Sequence, residues 1–297
     1  MRLAVAFWTG VVPGDAAGTV RRLKEIGVDG IGHIAVLDGW DEVMLRTFSA
    51  GMEEQGCFVG EVTMYQFGWM LAQSDEMIRQ EALAKLTKGL CDAQALKAHC
   101  VGISTIAGEP GAGDPWAPEV WRRLVDGVGM AAAAGERVGM TLGLHPGNRG
   151  PLDSPEQLRK LLDEVASPRL KVILDPVNMT NHRTVFSNTD FLNHMFDLLG
   201  GEIIAAHAKD VRFDTSHLIT RIDEVPLGSG VMDYETYLWR LAELDDDLVL
   251  CVEHYRDVGV SGTVASPVYV DYGTDVENTR ARNFLHDTAE RLGIEVT

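Results

Sequence analysis

Four ionisable side chains stand at the ends of short apolar segments in the second half of the chain. His145 occurs in "LGLHPGN", Asp175 in "VILDPVN", His207 in "IIAAHAKD" and Glu253 in "LVLCVEH". Two imidazoles and two carboxylates make a mixed nitrogen and oxygen donor set, which suits a borderline divalent cation. These residues therefore predict a site for one divalent metal ion, with Mn²⁺ favoured and Mg²⁺, Co²⁺, Zn²⁺ or Fe²⁺ as alternatives.

A metal ion would also explain why charged groups follow segments that are suited to burial. An isolated buried carboxylate is energetically costly, whereas a bound cation compensates its charge. The small residues Gly143 and Ala205 precede two of the predicted ligands and leave space for larger groups. A single histidine or acid at such a position is usually hydrogen-bonded or solvated, so the prediction depends on all four occurring on successive segments.

Apolar, β-branched runs alternate with longer segments of helical periodicity along the whole chain. The runs are predicted strands: Leu3–Phe7, Gly30–Ile34, Phe58–Thr63, Cys100–Ile106, Met140–Leu144, Val172–Leu174, Ile203–Ala206 and Leu248–Val252. The intervening segments are predicted helices: Ala16–Ile26, Asp41–Gln55, Asp75–Leu96, Pro118–Ala134, Pro155–Val165, Thr189–Leu199, Tyr234–Leu244 and Val276–Leu292. Ser154 and Pro155 are typical of a helix start, and Gly27 of a C-terminal cap.

Eight successive strand–helix units favour a parallel sheet closed on itself, a (β/α)8 TIM barrel. An open doubly wound sheet is the alternative, but it usually has fewer units and a phosphate-binding turn. The stretch "GEPGAGDP" at 108–115 lacks the lysine and the G-x-G-x-x-G pattern of such a turn, and we predict a flexible loop there. No Ser- or Pro-rich linker divides the chain, so residues 1–297 are expected to form a single domain. In a TIM barrel, functional groups lie where strands end, as the four predicted ligands do.

Composition and charge restrict the function. The formal net charge of −18 disfavours nucleic acid and anionic membrane surfaces as partners and fits a small-molecule substrate. No apolar run approaches the roughly 20 residues that span a bilayer. The four cysteines form no C-x-x-C pair, so we expect buried thiols in a reducing, cytoplasmic compartment. The oligomeric state is left open, with a homo-oligomer as one alternative.

Further candidates surround the predicted ligands. Lys209 could stabilise an oxyanion or simply pair with Asp175 or Asp210, and we take Glu253, His145 and Lys209 as the candidate catalytic residues. Other side chains near predicted strand ends are candidate substrate contacts, with a core or surface role as the alternative: Trp8, His33, Asn178, His182 and Arg212.

Several motifs point to a known family. The segments "LDPVNM", "HAKDV", "DEVPLGSGVMDYETYLWRLAEL" and "VLCVEH" resemble the xylose isomerase-like TIM barrel family of sugar and sugar phosphate isomerases and epimerases. "GEVTMY" and "STIAG" are similar to segments of the same family, so the resemblance covers nearly the whole chain. It implies a divalent metal held by residues from strands five to eight, with Asp175, His207 and Glu253 at matching positions. Strand five departs from the pattern, because the family commonly has a glutamate there and this chain offers His145, which could ligate in its place.

The resemblance implies metal-assisted proton abstraction next to a carbonyl of a sugar-like substrate, leading to isomerisation or epimerisation. In the family's ketose 3-epimerases, glutamates of strands five and eight act on opposite faces of the substrate, and here only Glu253 of that pair is present. A lyase of the same superfamily, a dehydratase or a C-glycoside-cleaving enzyme with His145 as base, is the nearest alternative. An apurinic endonuclease is disfavoured by the charge and by a ligand set sufficient for one ion, and a non-catalytic scaffold barrel remains a further alternative.

Overall fold

The computed structural model describes residues 1–7, 11, 14–35, 39–107, 113–216, 218–219, 221–253 and 275–297. Within them, eight parallel strands close into a barrel: β1 (Arg2–Phe7), β2 (Gly30–Ala35), β3 (Phe58–Thr63), β4 (Cys100–Ser104), β5 (Leu142–His145), β6 (Leu170–Leu174), β7 (Ile203–Ala208) and β10 (Val249–Val252). Neighbours in sequence are neighbours in the sheet, and β10 closes the ring by pairing with both β1 and β7. The predicted TIM barrel is confirmed.

Helices surround the barrel and cover its outer face with apolar side chains. They are α1 (Ala16–Ile26), α2 (Glu42–Glu53), α3 (Tyr65–Leu71), α4 (Glu76–Ala95), α5 (Pro118–Val138), α6 (Pro155–Val165), α7 (Asn188–Leu199), α8 (Tyr234–Ala242) and α9 (Asp275–Leu292). The predicted end signals work as expected: the Ser154 side chain accepts a hydrogen bond from the Gln157 amide, and Gly27 ends α1 with a φ of 88°. None of the helices in the described residues is long and apolar enough to cross a lipid bilayer.

A short α-helix and a β-hairpin were not predicted. The short helix α3 directly follows β3, and Gly68 lets it pack on the β4 backbone, since a Cβ there would lie 2.3 Å from the Ser104 carbonyl oxygen. An antiparallel hairpin outside the barrel, β8 (Asp210–Asp214) and β9 (Arg221–Val225), follows β7. β8 alternates polar and apolar residues over only five positions and β9 does not alternate, so neither strand is an apolar run of the kind that revealed the barrel strands.

Some predicted boundaries were wrong by a few residues. β4 ends at Ser104 rather than Ile106, and β5 begins at Leu142 and includes His145. The helix predicted to end at Ala134 continues to Val138, because the apolar face of α5 extends further than its alanine run. The loop predicted at 108–115 lies partly outside the described residues, which resume at 113.

The barrel interior is filled mainly by small side chains. They are Ala4, Ala6, Cys100, Ile173, Ala205, Val249 and Cys251. The Ile173 side chain takes the space beside Gly143, since a Cβ added at Gly143 would lie only 2.6 Å from it. Cys57, Cys100 and Cys251 are buried as expected, whereas Cys91 is exposed because it lies on the solvent side of α4. This packed floor supports the polar groups at the carboxyl ends of the strands.

Candidate metal centre

The four predicted ligands come together at one end of the barrel. His145 is the last residue of β5, Asp175 follows β6, His207 lies in β7, and Glu253 follows β10. All four are buried, and one donor atom from each lies within 4.8 Å of the others. Alternation along the strands accounts for this, because Ala205 and Cys251 lie in the barrel interior two residues before His207 and Glu253.

His207 is the centre of this group. Its Nδ1 lies 2.9 Å from Glu253 Oε2, 3.1 Å from His145 Nε2 and 3.5 Å from Asp175 Oδ2. His145 Nε2 lies 3.2 Å from the same Asp175 oxygen. Donor atoms bound at about 2.1 Å to one ion lie about 3 to 3.5 Å from one another. The two imidazoles and two carboxylates therefore fit a divalent cation in both donor type and spacing.

Lys209 is an internal counter-charge to the two carboxylates. Its Nζ lies 2.8 Å from Glu253 Oε2 and 3.0 Å from Asp175 Oδ2, and it donates a hydrogen bond to Asn178 Oδ1 at 3.2 Å. Burial opposes ionisation of both acids, but the nearby ammonium and the histidines outweigh it and hold the pKa of Asp175 and of Glu253 well below their ordinary values. Both acids are therefore ionised at neutral pH.

Of the two pairings considered for Lys209, the structure contains the one with Asp175. Asp210 does not pair with it. The Asp210 carboxylate instead accepts hydrogen bonds from the backbone amides of Val211, Gly228, Gly230 and Met232. It therefore ties the start of the β8–β9 hairpin to the segment that leads into α8.

A second buried group, which the sequence did not reveal, lies on the far side of the His207 ring. His207 Nε2 lies 2.9 Å from His33 Nε2 and 3.4 Å from Glu61 Oε2, and His33 Nε2 lies 3.4 Å from the same Glu61 oxygen. Burial lowers the pKa of His33 to about 4, so its ring is neutral. Glu61 could have been noticed as an acid inside an otherwise apolar strand, but nothing in the sequence names its partners.

Tyr65, at the start of α3, also belongs to the site and was missed. Its ring stacks on His145, with centroids 4.4 Å apart and planes inclined by 2°. Its hydroxyl lies 3.4 Å from His33 Nε2. The unpredicted helix α3 therefore supplies one wall of the candidate centre.

The structure places some of the candidate substrate contacts at the metal centre and others away from it. Asn178 joins the site: its side-chain nitrogen lies 3.3 Å from His145 Nε2 and its backbone amide donates to Asp175. His33 is fully buried beside His207. His182 and Arg212 are exposed, in the segment after β6 and on the β8–β9 hairpin. Trp8 lies outside the described residues, and a substrate contact by any of these side chains remains a prediction.

A closed parallel barrel with a buried cluster of metal-type donors at its carboxyl end defines the class of protein. The model of the family "Xylose isomerase-like TIM barrel" matches residues 20–276, and the chain belongs to this family. No curated protein matches the sequence.

Solved structures share this fold at low sequence identity. A D-psicose 3-epimerase with D-tagatose from Clostridium cellulolyticum H10 is 19% identical, with a TM-score of 0.74 over 97% of this chain and 99% of that chain. A xylose isomerase-like TIM barrel protein from Mycobacterium smegmatis in complex with magnesium is 15% identical, with a TM-score of 0.68 over 97% and 96%. A probable 3-DHS dehydratase from Bacillus anthracis is 16% identical, with a TM-score of 0.68 over 96% and 99%. At these identities the likeness establishes the fold alone.

Proposed function

We propose that this protein is a divalent-metal-dependent isomerase or epimerase of a sugar or sugar-like polyol, acting by proton abstraction next to a carbonyl. The observation that carries the proposal is the convergence of His145, Asp175, His207 and Glu253 at the functional end of the barrel. The similarity to ketose epimerase structures supports it, because that fold positions groups at this end.

The four converging residues would hold the metal ion, with Mn²⁺ favoured for a mixed nitrogen and oxygen set. A divalent ion bound there would supply Lewis-acid stabilisation, worth several kcal/mol, for the negative charge that develops on the substrate as its proton is removed. The ring stacking of Tyr65 on His145 and the hydrogen bond from the Asn178 amide to Asp175 keep two of the donors in place.

The side chains of the site have separate roles in moving the proton. Glu253 is ionised and is the general base, with His145 as the alternative proton carrier; burial lowers the pKa of the His145 ring, so it is neutral at neutral pH. Asp175 and Glu253 outweigh burial and raise the pKa of Lys209, so its ammonium stays charged and supports the developing oxyanion. A base of this kind contributes about 10²- to 10⁴-fold to the rate.

Proton exchange is the direct test. We would incubate keto-sugars and inososes with the protein and Mn²⁺ in D₂O and follow deuterium incorporation next to the carbonyl by NMR. Glu253→Gln is expected to reduce exchange by about 10²- to 10⁴-fold. Glu156→Gln, an exposed glutamate at the start of α6, is the matched control. Wild-type protein that binds metal but exchanges no proton in any keto-sugar would refute the isomerase proposal.

A lyase is the second candidate, and the observation that favours it is the identity of residue 145. Elimination needs a base and an acid for the leaving group, which a histidine and a glutamate can provide. In the glutamate pair of strands five and eight, this chain has His145 in place of the strand-five member. The same NMR experiment with added C-glycosides distinguishes the two reactions. Dehydrated or cleaved products without any exchange into recovered substrate would establish the lyase.

A further inference from the structure

We propose that Glu61 is a positioning residue for the metal centre: its carboxylate holds a proton on Nε2 of His207 and so leaves Nδ1 of that ring as the metal donor. This inference rests on the proposed function, because it takes the four-residue cluster as the metal site. It adds a residue from β3 that does not itself touch the metal.

The two nitrogens of His207 face different groups. Nδ1 faces the four-residue cluster, where Glu253 Oε2 lies 2.9 Å away, and Nε2 faces Glu61 Oε2 at 3.4 Å. A neutral imidazole carries one N–H and one lone pair, so only the ring protonated on Nε2 can bind a metal ion through Nδ1. A residue that accepts the Nε2 proton of His207 therefore stabilises the ring as a metal ligand.

His33 by itself would not make this choice. Its Nε2 lies 2.9 Å from His207 Nε2, and the proton between the two atoms can belong to either ring. A proton donated by His33 would leave His207 protonated on Nδ1, which would exclude a metal ion. Glu61 Oε2 lies 3.4 Å from Nε2 of both rings, and an ionised carboxylate can only accept a hydrogen bond. A His207 ring that binds a metal ion through Nδ1 presents its N–H on Nε2 to this oxygen, so Glu61 stabilises the metal-binding form of the ring.

The position of Glu61 is built into the barrel. Its side chain is only 2% exposed, and it points across the interior from the middle of β3. The adjacent strand β4 carries Gly102 at this level, where an added Cβ would lie 1.9 Å from Glu61 Oε1. The carboxylate therefore occupies a space that a side chain on β4 would otherwise fill, which limits its freedom to move away from His207.

The charges of the site favour Glu61 as a carboxylate that orients a histidine ligand, rather than as a ligand of a second metal ion. Asp175, Glu253 and Glu61 carry three negative charges in the described part of the centre, and Lys209 carries one positive charge. One divalent ion balances the remaining two charges. A second ion between His33, Glu61 and His207 would leave an excess of positive charge in a buried site and would require His207 to lose both ring protons.

A carboxylate behind a histidine ligand raises the basicity of the ligating nitrogen and fixes the ring, and its loss typically weakens metal binding by about 10- to 100-fold. Glu61→Gln is the informative change because it keeps the shape of the side chain. The amide removes the negative charge and can donate its own N–H to His207 Nε2, which favours the tautomer that does not bind metal. We therefore expect Glu61→Gln to weaken Mn²⁺ binding by about 10- to 100-fold.

The test is calorimetric titration of chelator-treated protein with Mn²⁺ alone. Wild type is expected to bind one ion per chain, and Glu61→Gln one ion about 10- to 100-fold more weakly. Thr63→Val is the matched control, because Thr63 is buried on the same strand and its hydroxyl has no hydrogen-bond partner among the described residues. Thermal unfolding in EDTA checks that all variants are folded without metal.

Glu61→Asp separates contact from charge. It keeps the negative charge but withdraws the carboxylate by about 1.5 Å, the length of one carbon–carbon bond. Weakened Mn²⁺ binding by both Glu61 variants supports the proposal. The proposal would be overturned if Glu61→Gln bound Mn²⁺ as tightly as the wild type, or if Glu61→Asp did so while Glu61→Gln did not. Two Mn²⁺ ions per wild-type chain would also overturn it. Wild-type protein that binds no Mn²⁺ would refute the proposed function itself, which is a different result.

Discussion

Replacing Lys209 by methionine tests whether the cluster is organised around positive charge. Methionine has a similar length and no charge, so the barrel packing is largely kept. In the metal-free protein this change leaves Asp175 and Glu253 without the ammonium that lies 3.0 Å and 2.8 Å from them. A bound divalent ion would replace that charge. The effect of Lys209→Met on stability should therefore depend on metal.

The expected loss of stability follows from the burial of Lys209, Asp175 and Glu253. Removing one partner of a buried ion pair costs about 3–5 kcal/mol, because the remaining charge is left without compensation. For a chain of this length, about 1 kcal/mol corresponds to about 2 °C in Tm. We expect Lys209→Met to lower the Tm by about 6–10 °C in EDTA. With saturating Mn²⁺ the loss should fall to about 1 kcal/mol, close to that of the single hydrogen bond to Asn178.

The assay is thermal unfolding followed by circular dichroism, with EDTA and with Mn²⁺. Lys171→Met is the control, because Lys171 pairs with Glu202 at 2.6 Å in a partly exposed setting, where an ion pair contributes about 0–1 kcal/mol. Its Tm should not depend on metal. An equal loss of Tm for Lys209→Met in EDTA and in Mn²⁺ would show that Lys209 and the metal do not share the same carboxylates, and the reasoning would be wrong.

Three further changes test the supports of the site. Asp210→Ala should reduce the free energy of unfolding in urea by about 2–4 kcal/mol, because buried and partly buried backbone amides lose their acceptor at about 1–3 kcal/mol each before relaxation. A loss below about 1 kcal/mol would contradict this role. Gly102→Ala should lower the free energy of unfolding by about 1–3 kcal/mol through overpacking, and it should weaken Mn²⁺ binding by displacing Glu61. Gly129→Ala is the control: nothing lies within 4 Å of a Cβ added there, so neither effect is expected. Tyr65→Ala should weaken Mn²⁺ binding by less than about 10-fold through loss of an aromatic contact of about 0.5–1.5 kcal/mol. Tyr65→Phe keeps the ring and should weaken binding less than Tyr65→Ala in the same titration.

The barrel and the four converging residues were predictable because both follow from local patterns and one general rule. Apolar runs and helical periodicity identify the alternating elements, and parallel strands in a barrel bring their carboxyl ends to one edge. His145, Asp175, His207 and Glu253 each end or follow such a run, so their convergence could be inferred before any distance was known. The helix α3 was missed because its 7 residues are too few to show helical periodicity, and the β8–β9 hairpin was missed because its strands are not apolar runs.

The sequence by itself determined which donors could meet at the mouth of the barrel; the tertiary structure decided what each donor faces. Glu61 lies far from His207 along the chain, and they approach only across the closed barrel. Gly102 gives the Glu61 carboxylate its space, and Tyr65 reaches His145 only because α3 turns back over β4. The orientation of an imidazole ring depends on side chains from several strands at once, and local periodicity contains no information about those distant contacts.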